Sequence, residues 1–448
     1  MSKRSLIQHR DSYSLCVLGI WNKLYSWVRN LNIYVQVILI FAVSRILGWA
    51  LFTIVGKQET YSPWSQRPMS YFNFVNIWDA DWYRRIAESG YPTQLPVNEA
   101  GEVTENQWAF YPLYPIVNGA ISRVTGLEYQ IVAALVSLIS GFIVACLMFW
   151  LFRLSVSACL YLRAGIEQRK PESAPQNLHE RAESTALWGV SLFAFAPIAP
   201  VLQVAYAESF NLIFLLATLI ALLQKKYWWA AELALPAALS RPIGVPLGAT
   251  AGLLWLIAVI DDAGRSSTLR EPNRWVASFL HHLPQLGSAL LICSMALLWP
   301  FYAWMRTGQM DAYTATETAW RGSDLFLVMP WFEQSIKYFG LFGPFIFIGL
   351  TVAFIGFLTS KPARQTLHPV LWMWCTCYVA YLVLFLNPQS SLFRMLLPLF
   401  PLVLVIVELS TSRAYRFLLM LTGAILQFGW VGWLWHWKQL PGGGDYPP

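Results

Sequence analysis

The chain alternates long apolar runs with short polar segments. Most runs are about 20 residues long, the length that an α-helix needs to cross a hydrocarbon core of roughly 30 Å. The fifth run is short and contains Pro236, so it departs furthest from an ideal span. The pattern predicts eleven spanning helices, at about 33–55, 128–151, 185–203, 207–223, 227–240, 243–260, 284–304, 337–358, 368–386, 393–409 and 415–436. We therefore expect an all-α integral membrane protein, a polytopic helical bundle.

Composition supports this fold class and removes others. Of the 448 residues, 56% are hydrophobic and only 12% are charged, whereas soluble domains carry roughly 25% charged residues. An ordinary soluble enzyme is therefore excluded. The chain has no basic run interleaved with aromatics of the kind that stacks bases, so we expect membrane lipids and no nucleic acid among its partners.

The distribution of lysine and arginine predicts the orientation. If the N-terminus is cytoplasmic, most of these cations fall in inner segments, as the positive-inside rule requires. An odd number of spans then places the C-terminus outside. We divide the chain into a cytoplasmic amphipathic segment at 1–32, a transmembrane domain at 33–437 and an external tail at 438–448. The longest external segment, about 56–127, follows the first span.

A polar island at 78–115 is the main candidate for chemistry, and it opens with Asp79 and Asp81. Paired carboxylates could supply a general base and a hydrogen-bond partner, or could bind a cation. On a helix Asp79 lies on one face with Trp82, while Asp81 lies on another with Arg84 and Arg85. The structural alternative is that both acids are solvated and pair with these arginines. The sequence leaves both interpretations open.

The island ends in an aromatic turn at 109–115 that leads back to the membrane. It contains Tyr111 and Tyr114, each directly followed by a proline. Aromatic side chains of this kind anchor segments at the membrane interface, and this turn could alternatively form the wall of an acceptor or lipid groove.

Three further charged residues lie at the predicted outer ends of spans. The guanidinium groups of Arg241 and Arg394 suit a phosphate, because each can donate two parallel hydrogen bonds; snorkelling to lipid headgroups is the alternative. Glu208 is costly at a membrane edge unless it is paired, and it could orient Arg241 or bind a sugar hydroxyl. Arg45 lies inside the first span, where we expect a structural partner within the bundle.

The order of these segments resembles the GPI mannosyltransferase II (PIG-V) family and its bacterial relatives. The resemblance covers about 40–400 and is carried by Trp78-Asp79, Trp82-Tyr83, Ile86-Ala87, Gly90-Tyr91, the turn at 109–115, Pro197, Tyr206-Ala207-Glu208-Ser209, the segment at 240–244, Phe393-Arg394-Met395 and the segment at 398–401. The last four residues, 445–448, resemble the tails of actinobacterial membrane proteins.

This resemblance implies a GT-C-type glycosyltransferase in the cell membrane. Such enzymes transfer a sugar, here expected to be mannose, with inversion from a polyprenyl-phosphate donor at the extracytoplasmic face. The acceptor is a glycolipid, a glycan or a protein. The resemblance places the family's catalytic acid at Asp79. The expected site contains Asp79 and Asp81 as catalytic acids, Arg241 and Arg394 at the donor phosphate, and Glu208, Arg84, Tyr111 and Tyr114 as substrate contacts. The scheme requires no metal or other cofactor, although two acids could bind a divalent cation.

Two other functional classes remain. A transporter or flippase of lipid-linked sugars would place its polar site near the bilayer midplane, whereas the acids here cluster in an external segment. A non-catalytic assembly partner is the second alternative, and the sequence does not separate it from an enzyme.

Overall fold

The computed structural model describes residues 30–59, 61–166, 175–265, 273–322 and 326–437. Within these ranges the regular secondary structure is helical, apart from two isolated β-bridges that join Ser62 to Ser65 and Val97 to Val103. The predicted amphipathic segment at 1–32 falls outside the described residues up to position 29. The predicted tail at 438–448 also falls outside them.

The first half of the fold contains the predicted polar island at 78–115. Its helices are α1 (Ile33–Gln58), α2 (Tyr71–Phe74), α3 (Asp79–Ser89), α4 (Leu113–Thr125), α5 (Tyr129–Arg163), α6 (Gln176–Ala194), α7 (Ala207–Leu223) and α8 (Tyr227–Ser240). Helix α3 and the aromatic turn before α4 therefore lie in one segment, 59–128, between two long apolar helices.

The second half continues with shorter pieces. Its helices are α9 (Gly244–Arg265), α10 (Asn273–His281), α11 (Leu283–Met295), α12 (Leu298–Thr307), α13 (Ala312–Arg321), α14 (Met329–Phe339), α15 (Gly343–Thr359), α16 (Lys361–Thr366), α17 (Pro369–Phe385), α18 (Leu392–Met395), α19 (Leu402–Glu408) and α20 (Arg413–Gly429). A π-helical turn, Trp430–Trp435, follows α20.

Six helical segments of the described chain are long and apolar enough to cross a membrane. They are Ile33–Gln58, Tyr129–Arg163, Gly244–Gly264, Leu283–Thr307, Met329–Thr359 and Arg413–Trp435. Two shorter apolar helices, α7 and α17, each have 17 residues. The prediction of an all-helical protein with membrane character is confirmed, while the number of eleven spans and the orientation stay predictions.

The prediction of one continuous helix at 393–409 is wrong. The segment divides into α18, a 3-10 turn at Leu397–Leu399, and α19. Pro398 and Pro401 lie at these breaks, and proline cannot donate the backbone hydrogen bond that continues a helix. Arg394 lies on α18, before the break, and is buried.

Small side chains and one deep arginine hold the bundle together. Helix α8 presents buried alanines to its neighbours, which allows close helix packing. Arg45 on α1 is almost fully buried and donates hydrogen bonds to the carbonyl oxygens of Ala199, at 2.5 Å, and Ala194, at 3.1 Å. The structural partner expected for Arg45 is therefore backbone carbonyl, at the point where α6 ends.

Helix α13 packs on the 59–128 segment, and the candidate site forms between them. The Thr316 hydroxyl lies 3.0 Å from the Asn106 amide nitrogen, and Trp320 Nε1 donates to the Asn106 carbonyl at 3.2 Å. The hydroxyls of Tyr111 and Tyr313 lie 3.3 Å apart. Two polar segments that are far apart in sequence thus form one surface.

Candidate active site

An unusual backbone turn presents Asp79. Trp78, directly before α3, has φ 61°, a conformation that costs a residue other than glycine about 1–3 kcal/mol. Its ring packs against Trp64 and Trp437, with centroids 5.1 Å away in both cases. Its Nε1 donates to the Trp435 carbonyl at 2.9 Å. These contacts hold the strained turn and fix Asp79 as the first residue of α3.

Asp79 benefits from its position at a helix N-terminus. The positive end of the helix dipole stabilises an acid there. The Asp79 backbone N–H donates to the Tyr206 hydroxyl at 3.2 Å, which ties α3 to the start of α7. Among the described residues, no hydrogen-bond partner contacts Asp79 Oδ1, so one carboxylate oxygen is free for a ligand.

Asp79, Glu208, Arg241 and Arg394 form one connected group, which we call the inner network. Arg394 Nη1 lies 2.5 Å from Asp79 Oδ2 and 3.4 Å from Glu208 Oε1. Arg241 Nη1 lies 2.6 Å from the same Glu208 oxygen. Each side chain is at most 15% exposed, so solvent screens these pairs only weakly.

The inner network has two positive and two negative groups. Burial alone would lower the pKa of Arg394, but the neighbouring Asp79 and Glu208 outweigh burial and raise this pKa above its usual value. Burial alone would also lower the pKa of Arg241. The charge of Glu208 outweighs burial, so this pKa is raised as well. Both arginines therefore stay charged and are matched by acids of the network.

A polar cavity of about 250 Å³ adjoins the inner network. Asp79, Arg241 and Arg394 all reach its wall. The rest of the wall includes the aromatic side chains of Tyr83, Phe110, Tyr111, Trp320, Tyr378 and Tyr381. Aromatic faces with a few polar groups are typical of small-molecule sites, so this cavity is the best candidate for a substrate site.

A second cavity of about 470 Å³ shares part of this wall. Its own lining is mainly apolar and includes Ala238, Val245, Ala296, Leu297, Pro300 and Phe385. Val245 and Leu297 are 48% and 68% exposed on two of the helices that are long enough to span a membrane. Exposed residues thus line the apolar cavity, which shares wall residues with the polar cavity.

Glu317 and Arg321 of α13 line both cavities, and neither belongs to the site predicted from the sequence. Burial raises the pKa of Glu317, while the charge of Arg321 acts in the opposite direction. An acid and a base four residues apart in a polar stretch between apolar runs were the available signal. That signal is common on exposed helices, and only the packing of α13 on Asn106 distinguishes it.

Three predicted site residues lie away from the cavities. Asp81 pairs with Arg84 at 2.6 Å and with Arg85 at 2.8 Å, and Arg84 also reaches Glu88 at 3.1 Å. The geometry of Asp81 and Arg84 thus follows the structural alternative. Tyr114 is fully buried and donates to the Ala133 carbonyl at 3.0 Å. Asp79, Glu208, Arg241, Arg394 and Tyr111 are brought together.

Asp79 and Asp81 are each paired with an arginine, on different sides of α3. In the part of the chain that the structure describes, no group of three His, Cys, Asp or Glu side chains could hold a metal ion.

No family model matches this chain, and no curated protein matches it either.

Proposed function

We propose that this protein is a GT-C-type membrane glycosyltransferase that uses a polyprenyl-phosphate sugar, with mannose as the transferred sugar. The acceptor is a hydroxyl group of a glycolipid, glycan or protein at the extracytoplasmic face of the cell membrane. One observation carries the proposal: Asp79 lies at a polar cavity that adjoins an apolar cavity bordered by helices long enough to span a membrane.

The two cavities match the two parts of such a donor. A long isoprenoid chain would lie in the apolar cavity and enter past Val245 and Leu297, which are exposed on their helices. The sugar would lie in the polar cavity, where Tyr83, Phe110 and Trp320 offer flat aromatic faces. An amphipathic donor of this kind would satisfy both linings without burying an unpaired polar group.

Asp79 would act as the general base. It would accept the proton of the acceptor hydroxyl as that oxygen forms a bond to the anomeric carbon. The bond from this carbon to the phosphate oxygen would break at the same time, on the opposite face, which inverts the configuration. Polyprenyl phosphate would leave as an anion and needs charge stabilisation more than a general acid. Arg394 would hold Asp79 in place through Oδ2.

The test is a transfer assay with purified protein, polyprenyl-phosphate mannose and extracted membrane acceptors. A positioned base typically contributes about 10²–10⁴-fold to the rate, so we expect Asp79→Asn to lose at least about 10²-fold. Asp81→Asn is the matched control, because it makes the same change on the same helix away from both cavities. We expect it to keep most of the activity.

Several outcomes would overturn the proposal. Near-normal turnover by Asp79→Asn would show that Asp79 is not the general base. Movement of the intact lipid-linked sugar across vesicle membranes, without transfer, would favour a flippase. Transfer that appears only when a second protein is added, and that survives Asp79→Asn, would favour an assembly partner.

A further inference from the structure

The three arginines that line the polar cavity differ in their ion pairs. Arg241 and Arg394 each contact a carboxylate of the inner network, at 2.6 Å and 2.5 Å. An incoming phosphate would have to compete with these buried acids for the same guanidinium groups. It would also meet their negative charge, and like charges repel strongly where water is scarce.

Arg321 is different, because it has no such partner. Among the described residues, no carboxylate lies within ion-pair distance of its guanidinium. Its backbone is fixed nevertheless, since its carbonyl accepts a hydrogen bond from the Asn387 amide at 3.1 Å. Gly322 follows with φ 64° and ends α13 with an ordinary glycine cap. The backbone of Arg321 is thus held by contacts that do not involve its guanidinium group.

Arg321 also occupies the boundary between the two cavities, because it lines both. In an ester of a long isoprenoid alcohol with a phosphorylated sugar, the phosphate lies between the apolar chain and the sugar. If the chain fills the apolar cavity and the sugar fills the polar one, the phosphate must lie where the cavities meet. A planar guanidinium is the side chain best suited to hold it there.

We infer that Arg321 binds the phosphate of the lipid-linked donor, with Glu317 beside it as a hydrogen-bond donor to the same group. This inference rests on the proposed function and replaces Arg241 and Arg394 as the primary phosphate ligands. These two arginines instead position Asp79 and Glu208.

Glu317 needs a proton for this role. An ionised Glu317 would repel the phosphate, whereas the protonated carboxyl can donate to a phosphate oxygen. Burial raises the pKa of Glu317, which favours the protonated form, and it outweighs the charge of Arg321 and a hydrogen bond with Tyr313, both of which lower this pKa. The Tyr111 and Tyr313 hydroxyls, 3.3 Å apart on the same side of the cavity, add neutral polar groups around it.

The experiment measures binding of polyprenyl monophosphate, without sugar, to the purified full-length protein in neutral lipid nanodiscs. The same isoprenoid alcohol without phosphate is measured in parallel. We expect Arg321→Ala to weaken binding of the phosphate lipid by about 10-fold or more, as expected when a charged hydrogen-bonding partner is removed, and to leave binding of the alcohol unchanged. Arg321→Lys should lose less, because it keeps the charge but loses the fork.

Arg306→Ala is the matched control. Arg306 lies on α12, is exposed, and lines neither cavity, so its removal changes the net charge equally without touching the site. We expect wild-type binding. Thermal unfolding of each variant shows whether Arg321→Ala and Arg321→Lys remain folded.

The outcomes distinguish the inference from the proposed function. If the wild type binds the phosphate lipid and folded Arg321→Ala and Arg321→Lys bind it equally well, the inference fails and the proposed function stands. If Arg306→Ala weakens binding as much as Arg321→Ala, the effect is one of net charge and the inference also fails. If the wild type does not prefer the phosphate lipid over the alcohol, the proposed donor class fails together with the inference.

Discussion

Two arginine–carboxylate groups face the same polar cavity, and they differ in how their charges are used. In the inner network the side chains of Arg241 and Arg394 are neutralised by Asp79 and Glu208 at 2.5–3.4 Å. On α13, Arg321 has no ion pair within the described residues, and Glu317 has a raised pKa because it is buried.

The difference indicates that the two groups have different roles at one site. A buried, balanced network holds its members in fixed geometry, and removal of one member leaves another charge uncompensated. A cation that is not neutralised keeps its charge for an incoming anion. On this reasoning an arginine that is already paired with the candidate base is a weaker phosphate ligand than an arginine without an ion pair.

The largest expected effect concerns stability. Arg394→Ala would leave Asp79 and Glu208 without their shared partner, and breaking a buried pair in this way typically costs about 3–5 kcal/mol. Arg321→Ala removes no ion pair among the described residues and should cost less, about 1 kcal/mol. Unfolding of both variants in the same detergent measures the contrast. Equal losses would show that the two groups do not differ in kind.

A smaller effect is expected for Glu208→Gln, which leaves the inner network with one uncompensated positive charge. Loss of one charged partner should lower stability by about 1–3 kcal/mol. The surplus cation should also attract phosphate, so Arg321→Ala should weaken lipid-phosphate binding less in the Glu208→Gln background than in the wild type. A double-mutant cycle measures this coupling. Strictly additive effects would contradict the idea that Glu208 keeps the network closed to anions.

The sequence predicted some of this arrangement and missed the rest for identifiable reasons. Long apolar runs identified the membrane-type helices. The sequence also singled out the acid after Trp78, but it did not predict the strained backbone turn that presents this acid. Arg394 was predicted as a site residue from its place at a span end, but its partners lie 186 and 315 positions away in the chain, so its neutralisation depends on packing. Glu317 and Arg321 resembled an ordinary pair on an exposed helix face until α13 was seen against the 59–128 segment.

The smallest effect tests the α13 side of the comparison through pH. Glu317 is faced by Arg321 and Tyr313 from its own helix, and Tyr111 and Tyr381 share its cavity. Burial raises the pKa of the Tyr111 and Tyr313 hydroxyls, so both stay neutral near neutral pH, and Arg321 stays charged. Glu317 is then the group of this set whose charge changes with moderate pH.

The sign of the effect follows from the raised pKa of Glu317. The protonated carboxyl prevails below that pKa and donates to the phosphate, whereas the ionised form repels it as pH rises. Affinity for the sugar-bearing donor, a phosphodiester whose own charge is constant in this range, should therefore fall a few-fold with rising pH. Glu317→Gln keeps an N–H donor at every pH and should remove the dependence. If that variant retains the wild-type pH profile, another group titrates and Glu317 has no place at the phosphate.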